Sequence, residues 1–325
     1  VVSYLTEELV RRGHDVTLFA SGDSETTARL VPITSRALRL EPDTRETLAA
    51  ELVHQLGQVF RRARDFDVIH CHVDYPAYPF GRLVATPTLH TVHGRLDLPY
   101  LAPVYREFTD APLVSISEAQ RAPLAGYGVT WAGTVHHGLP AERYPFVAEP
   151  GEYLAFLGRL SPEKQPDVAI EVARRVGLPL HIAAKVDASD RDYVERVVAP
   201  LLAEPHVHFV GEIDDAGKAA FLGGARALLF PIDWPEPFGL VVVEALACGT
   251  PVIARPCGAV PELFAGGEIG FLGDTVDELV EAVKRIDTID RAACRRHVEA
   301  RFSVARMVDD YEALFRRAGS ARRAA

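Results

Sequence analysis

Short apolar runs of strand length alternate with amphipathic helical stretches through both halves of this 325-residue sequence, and that alternation most constrains the fold. Apolar runs bounded by turn residues read as strands, and an apolar stripe every three to four residues reads as a helix. Val2, Leu5 and Leu9 keep helical spacing, Gly13 stops that helix behind Arg11 and Arg12, and residues 16–20 read as a buried strand. A helix is predicted over residues 44–64, strands over 68–70, 88–92 and 113–117, and a helix over 118–125. In the second half, strands are predicted at 154–158, 180–184, 207–210, 227–230 and 251–254. Helices are predicted at 166–176, ending at Gly177, at 190–202, and at 240–247, stopped by Gly249. Residues 303–317 form a last amphipathic helix with Met307, Tyr311, Leu314 and Phe315 on one face. Between the halves, residues 138–151 hold three prolines and two glycines without apolar period and read as an interdomain linker.

The fold class that follows is α/β, with two doubly wound Rossmann-like domains and a cleft between them. The expected partition is 1–143 for the first domain, 144–302 for the second, and 303–325 for a helix packing back on the first. A helix followed by a strand is the second half of a βαβ unit, so the opening helix reads as lacking its preceding strand. Val1 is also not an initiating Met. The expectation is a shortened first domain of reduced stability beside a complete second one.

Composition removes several classes of function. No run of about 18 apolar residues is present to span a membrane, although peripheral contact with one stays open. The first dozen residues mix charged and apolar positions and do not read as a secretory signal. Cys71, Cys248, Cys257 and Cys294 lack paired spacing, which predicts reduced thiols and a cytoplasmic location. A net charge of −10 argues against a nucleic-acid partner.

The most informative block, residues 236–254, reads Glu-Pro-Phe-Gly-Leu-Val-Val-Val-Glu-Ala-Leu-Ala-Cys-Gly-Thr-Pro-Val-Ile-Ala. A loop ends at Phe238-Gly239 where a helix begins, so unpaired backbone N–H groups and the helix dipole favour anionic or hydroxyl-rich ligands. Gly239 permits close approach of a ligand to the backbone. Glu236 can accept from sugar hydroxyls, and Glu244 from a vicinal diol. Two glutamates at this spacing are by themselves an ordinary surface pair; the whole block is not. In residues 156–165, a strand delivers Arg159 and a loop delivers Lys164, two cations suited to a diphosphate leaving group. Taken alone, they read as solvated loop residues. His93, followed by Gly94 at a strand end, is a third candidate, although a lone histidine on a strand is more often structural.

Together these blocks resemble the retaining, GT-B-fold glycosyltransferases of family 4, the bacterial group 1 type. Residues 236–254 are similar to that family's E-x7-E signature, and residues 156–165 to its Gly-Arg-Leu-x-x-x-Lys segment. The resemblance implies that Glu236 contacts the donor sugar, helped by the backbone of Phe238, Gly239 and Leu240, while Glu244 holds the ribose. It implies that Arg159 and Lys164 stabilise the diphosphate, and that Gly211 and Ile213 approach the nucleotide base. It places His93 against the sugar and the acceptor, as a hydrogen-bonding residue. Ser117 reads first as a helix N-cap, and residues 258–262 as a turn shaping the pocket. The implied activity is transfer of a hexose from a nucleotide diphosphate sugar, UDP-glucose first, to a hydroxyl acceptor. A GDP-mannose-dependent enzyme and a non-catalytic nucleotide-sugar-binding relative are the alternatives.

No metal and no cofactor is expected. His70-Cys71-His72 suggests chelation, but adjacent strand residues face opposite ways. The two Asp-x-Asp pairs, Asp65/Asp67 and Asp190/Asp192, sit where a turn and a helix cap belong. Neither a Gly-x-Gly-x-x-Gly nor a P-loop pattern occurs.

Overall fold

The stripe of Val2, Leu5 and Leu9 forms a helix over Val2–Arg11 in the computed structural model, which describes residues 1–40 and 47–324. Leu5 and Leu9 are buried against Leu89, Val114, Met307, Val308, Tyr311 and Leu314. The last six include four from the final helix, Val304–Ala324, whose apolar face is the one read from sequence. Met307 and Val308 are fully buried, a contribution of about 1.5–3 kcal/mol per side chain. The residues fall into two units: Val1–Gly138 with Val304–Ala325, and Leu139–Ser303.

The first unit contains β1 (Thr17–Ala20), β2 (Arg29–Pro32), β3 (Ile69–Cys71), β4 (Thr88–Thr91), β5 (Leu113–Ser115) and β6 (Trp131–Thr134). β3, β4, β5 and β6 form one parallel sheet in that order, while β1 and β2 form a separate parallel pair. The strand at 16–20, expected to be buried, is half-buried at all four positions of β1. Among the described residues β1 pairs with β2 alone, so it has a strand neighbour on one side only. A cavity of about 700 Å³ lies beside it, lined by Leu5, Leu9, Thr17, Leu18, Val68 and His70 among others.

Other differences in this unit are local. The helix expected at 44–64 is observed over Leu48–Arg61, and residues 44–46 lie outside the described residues. The helix expected at 118–125 is a 3₁₀ segment, Ala119–Leu124, because Pro123 removes a donor from it.

The second unit carries β7 (Tyr153–Arg159), β8 (Leu180–Lys185), β9 (Val207–Gly211), β10 (Ala225–Phe230), β11 (Val252–Ala254) and β12 (Gly270–Leu272). They form one parallel sheet in the order β12-β11-β10-β7-β8-β9. The chain winds outward from β7 to β9, then returns to β10 and winds the other way. The switch point, where crossovers diverge and a crevice opens at the strand ends, is therefore between β7 and β10. Helix Pro166–Val176 buries Ala169, Ile170, Val172 and Ala173 on the sheet and stops at Gly177 in the left-handed conformation, as its sequence predicts. The stretch expected as one helix at 190–202 contains a π turn, Val194–Val198, between α-helical Arg191–Tyr193 and Ala199–Leu202.

Residues 138–151 are not a free linker. The boundary between units falls at Gly138/Leu139, and Leu139 N–H donates to Phe302 O at 2.7 Å inside the second unit. Tyr144 is buried there as well. Among the described residues no helix is long and apolar enough to cross a membrane.

Candidate active site

Most of the residues singled out above emerge from C-terminal strand ends of the second unit. β7 ends at Arg159, and the 3₁₀ turn Pro162–Lys164 carries Lys164 over the sheet edge. β10 ends at Phe230, and the loop after it carries Glu236 to the start of helix Leu240–Ala247. The Lys164 ammonium donates to Glu236 Oε2 across the switch point, with both side chains largely buried. The same ammonium lies 4.7 Å from the Trp234 ring centroid and 5.5 Å from that of Phe230, so it is also held by aromatic faces.

Backbone contacts fix this arrangement. Asp233 N–H donates to Glu163 O at 2.9 Å, tying the two loops together. Ala259 N–H donates to Glu236 O at 2.9 Å. A Cβ on Gly258 would lie 2.3 Å from Glu236 N and 2.4 Å from its O, so only glycine lets that turn close on the Glu236 backbone. Gly239 takes φ +95° as the residue before the helix, and no side chain caps the helix N-terminus. Phe238 is buried with its ring against Phe302, so its backbone rather than its ring is what it offers a ligand. Leu240, half-buried, begins the helix.

Glu244 lies one turn further on and is only 7% exposed. Its Oε1 accepts from Lys218 Nζ at 3.0 Å and from Tyr144 OH at 3.1 Å, which leaves Oε2 for another donor. Burial disfavours the Lys218 ammonium, yet the charges and hydrogen bonds of Glu244 and Asp215 hold its pKa above the ordinary lysine value. Lys218 and Tyr144 belong to no motif, so sequence reasoning missed both. Gly211 ends β9, and Ile213 sits in the short loop between it and helix Asp215–Gly223, which bears Lys218. The N-cap Asp214 accepts from Gly217 N–H at 2.7 Å and sets the start of that helix.

Arg159 differs from Lys164. Its guanidinium meets Glu163, Asp190 at 3.3 Å and Asp187 at 3.5 Å, so three carboxylates balance it. Asp190, discounted as part of a metal motif, serves here as an ion-pair partner and stands at the start of a helix.

His93 is on the first unit, just past β4. Its Nε2 is 2.9 Å from His72 Nδ1, and its ring stacks on His137 at 5.3 Å. Burial lowers its pKa to about 4, so the imidazole is neutral near pH 7 and suited to hydrogen bonding. His70 bonds Thr91 Oγ1 at 2.7 Å, and Thr91 is 3.1 Å from Tyr311 OH. Ser117 Oγ accepts from Gln120 N–H at 3.1 Å, but the N-cap of the 3₁₀ segment is Glu118 rather than Ser117 as expected. Among the described residues no group of three or more His, Cys, Asp or Glu is arranged to hold a metal.

Residues 143–299 match the family described as glycosyl transferases group 1, and residues 1–157 match glycosyltransferase family 4. The chain belongs to this glycosyltransferase family. D-inositol 3-phosphate glycosyltransferase of Mycobacterium tuberculosis is 28% identical over 319 residues, covering 83% of this chain. This chain spans 64% of the length of that relative. Among solved structures, sucrose-phosphate synthase from Thermosynechococcus elongatus superposes with a TM-score of 0.78 at 22% identity, over 98% of this chain and 93% of that one. HepE from Anabaena, in complex with UDP and glucose, superposes with a TM-score of 0.74 at 17% identity, over 96% and 93%. These neighbours are GT-B glycosyltransferases, and the two parallel-sheet units described above are the Rossmann-like halves of that fold. Within the second half of this family member, Arg159, Lys164, Gly211, Ile213, Glu236, Phe238, Gly239, Leu240 and Glu244 share one end of the sheet.

Proposed function

We propose that the protein is a retaining hexosyltransferase that moves glucose from UDP-glucose to a hydroxyl acceptor without a metal ion or other cofactor. The observation that carries this reading is the Lys164–Glu236 contact across the β7/β10 switch point, beside an uncapped helix N-terminus. A cation and a hydroxyl-accepting carboxylate at that place fit a diphosphate and the sugar it carries. The HepE neighbour, whose structure contains UDP and glucose, supports the choice of donor.

In this mechanism the bond between the anomeric carbon and the diphosphate oxygen breaks while the acceptor oxygen bonds to the same face of that carbon. The acceptor proton passes to the departing diphosphate. Lys164, aided by Arg159 and the backbone N–H groups at Gly239 and Leu240, stabilises the negative charge that grows on the leaving group. Fixed donors of this kind contribute about 3–4 kcal/mol each. Glu236 holds hydroxyls of the sugar, Glu244 the ribose diol through Oε2, and the loop of Gly211 and Ile213 the base. His93 acts as a neutral hydrogen-bonding group. The four thiols are unpaired, which fits a reducing compartment, and we assign the enzyme to the cytoplasm.

Calorimetry with UDP, GDP, UDP-glucose and GDP-mannose, followed by NMR of the product, tests the reading. The expected results are UDP-selective binding, transfer unaffected by EDTA, and an α-linked product from the α-linked donor. A β-linked product or a strict need for a divalent ion would overturn it.

A further inference from the structure

A third cation stands at the strand ends of the second unit, outside both motifs. β11 ends at Ala254, and Arg255 follows it. Its backbone N–H donates to Phe230 O at 3.2 Å, which sets it beside the end of β10. Its Nη1 donates to Gln165 Oε1 at 3.2 Å. Gln165 is the residue after Lys164, in a left-handed turn with φ +54°, and the Phe230 ring is one of the two faces against the Lys164 ammonium. The turn beyond Arg255 closes on Glu236, through Ala259 N–H and the close approach of Gly258. Arg255 is thus tied to the Lys164 loop by its side chain and to the Glu236 loop through the turn that follows it. The residue is half-buried, so a ligand in the crevice can reach it.

Its charge is the feature that matters. Lys164 and Arg159 face four carboxylates between them, Glu236, Glu163, Asp187 and Asp190. With those partners the two motif cations leave this place net negative, a poor reception for a diphosphate. Arg255 has a neutral amide as its side-chain partner, and among the described residues no carboxylate lies within ion-pair distance of it. Its Nε is buried and lacks a hydrogen-bond acceptor. A phosphate takes two N–H groups of one guanidinium at once, so it supplies both the missing acceptor and the missing negative charge.

We propose that Arg255 binds the diphosphate of the donor beside Lys164, as a third cation of the site. It donates hydrogen bonds and transfers no proton. This deepens the glycosyl-transfer reading and rests on it.

The test is calorimetry of UDP and GDP, with uridine and guanosine measured by their displacement, on the parent, Arg255→Gln and Arg255→Lys. The diphosphate that the parent binds should be weakened about tenfold in Arg255→Gln, and its nucleoside should bind as before. Arg255→Lys keeps the charge but not the two-pronged donor, so it should lose about threefold, and it decides the matter if Arg255→Gln fails to fold. Parental diphosphate affinity in the folded variant, which a guanidinium reserved for a carboxylate on the sugar would also give, overturns the proposal. An equal loss for the nucleoside overturns it too, since a residue that merely braces the two loops would affect both ligands. A parent that binds neither diphosphate brings down the donor reading, and this assignment with it.

Discussion

Lys218 donates to Glu244 at 3.0 Å, on the same carboxylate oxygen that accepts from Tyr144 at 3.1 Å. A motif glutamate is thus paired with a lysine from a neighbouring helix, with its second oxygen left to another donor. Replacing Lys218 by Ala removes the cation but leaves the carboxylate buried, at a cost of about 2–3 kcal/mol. Glu244→Gln preserves the shape and loses the charge. Denaturant melts should show Lys218→Ala as the less stable variant, while calorimetry should show weakened UDP binding in both. Parental stability of Lys218→Ala would mean that Glu244 does not depend on its partner.

Lys164 and Arg159 should separate in kinetics, although sequence presents them as a pair. Lys164 has one carboxylate partner and two aromatic faces, whereas Arg159 is bound by three carboxylates. Lys164→Ala is expected to lower kcat about 10²–10³-fold, the effect of deleting a donor to the leaving group. Glu236→Gln should lower kcat with UDP affinity retained. Arg159→Ala leaves Glu163, Asp187 and Asp190 without their common cation, so its loss should appear in thermal stability as well as in turnover. Equal kinetic effects from Lys164→Ala and Arg159→Ala, with no difference in melting temperature, would contradict this contrast.

How much of this was legible in the sequence depends on the reach of each interaction. The helix at Pro166–Val176 was readable to its ends because its start at Pro166 and stop at Gly177 are local chemistry. The Glu236 turn was readable as a motif, but its reason was not: Gly258 closes on the Glu236 backbone from 22 residues away. β2, β6 and β12 went unread because three- and four-residue strands, two of them containing glycine, carry little apolar period. Lys218 and Tyr144 reach Glu244 only through tertiary packing.

The buried histidines of the first unit should make its stability depend on pH. Burial lowers the pKa of His90 and His93 to about 4 and of His70 to about 3, and holds those of His72 and His137 well below their ordinary value. They are neutral when folded and take up protons near pH 6.5 when unfolded. The unfolded state therefore binds more protons below that pH. Stability is complete above about pH 6.5 and is lost as pH falls towards about 4, by about 1.4 kcal/mol per pH unit for each such histidine. Scanning calorimetry from pH 7.5 to 4.5 should show a steep fall in melting temperature, lessened in His137→Gln. A melting temperature constant across this range would show that these imidazoles are not held neutral.

The last expectation concerns β1. Its register with β2 is complete, from Thr17 opposite Arg29 to Ala20 opposite Pro32, yet neither strand joins the sheet of β3 to β6. A two-stranded pair by itself is marginal in water. Its residues are half-buried, and the cavity of about 700 Å³ beside it leaves side chains such as Leu18 and Val68 without partners on one side. β4, in contrast, is fully buried between β3 and β5. Opening of β1 then exposes little that was covered, whereas opening of β4 requires the unit to unfold. Native-state hydrogen exchange should find the β1 amides at least about 10²-fold less protected than those of β4, a difference of about 2.7 kcal/mol in opening free energy. Mutations in the cavity wall can distinguish a loose strand from a merely exposed one. Leu18→Ala should lower the protection of β1 and leave β4 unchanged, because the two open independently. If β1 and β4 exchange together, with one opening free energy that falls for both in Leu18→Ala, the strand pair is an integral part of the first unit despite its separate sheet.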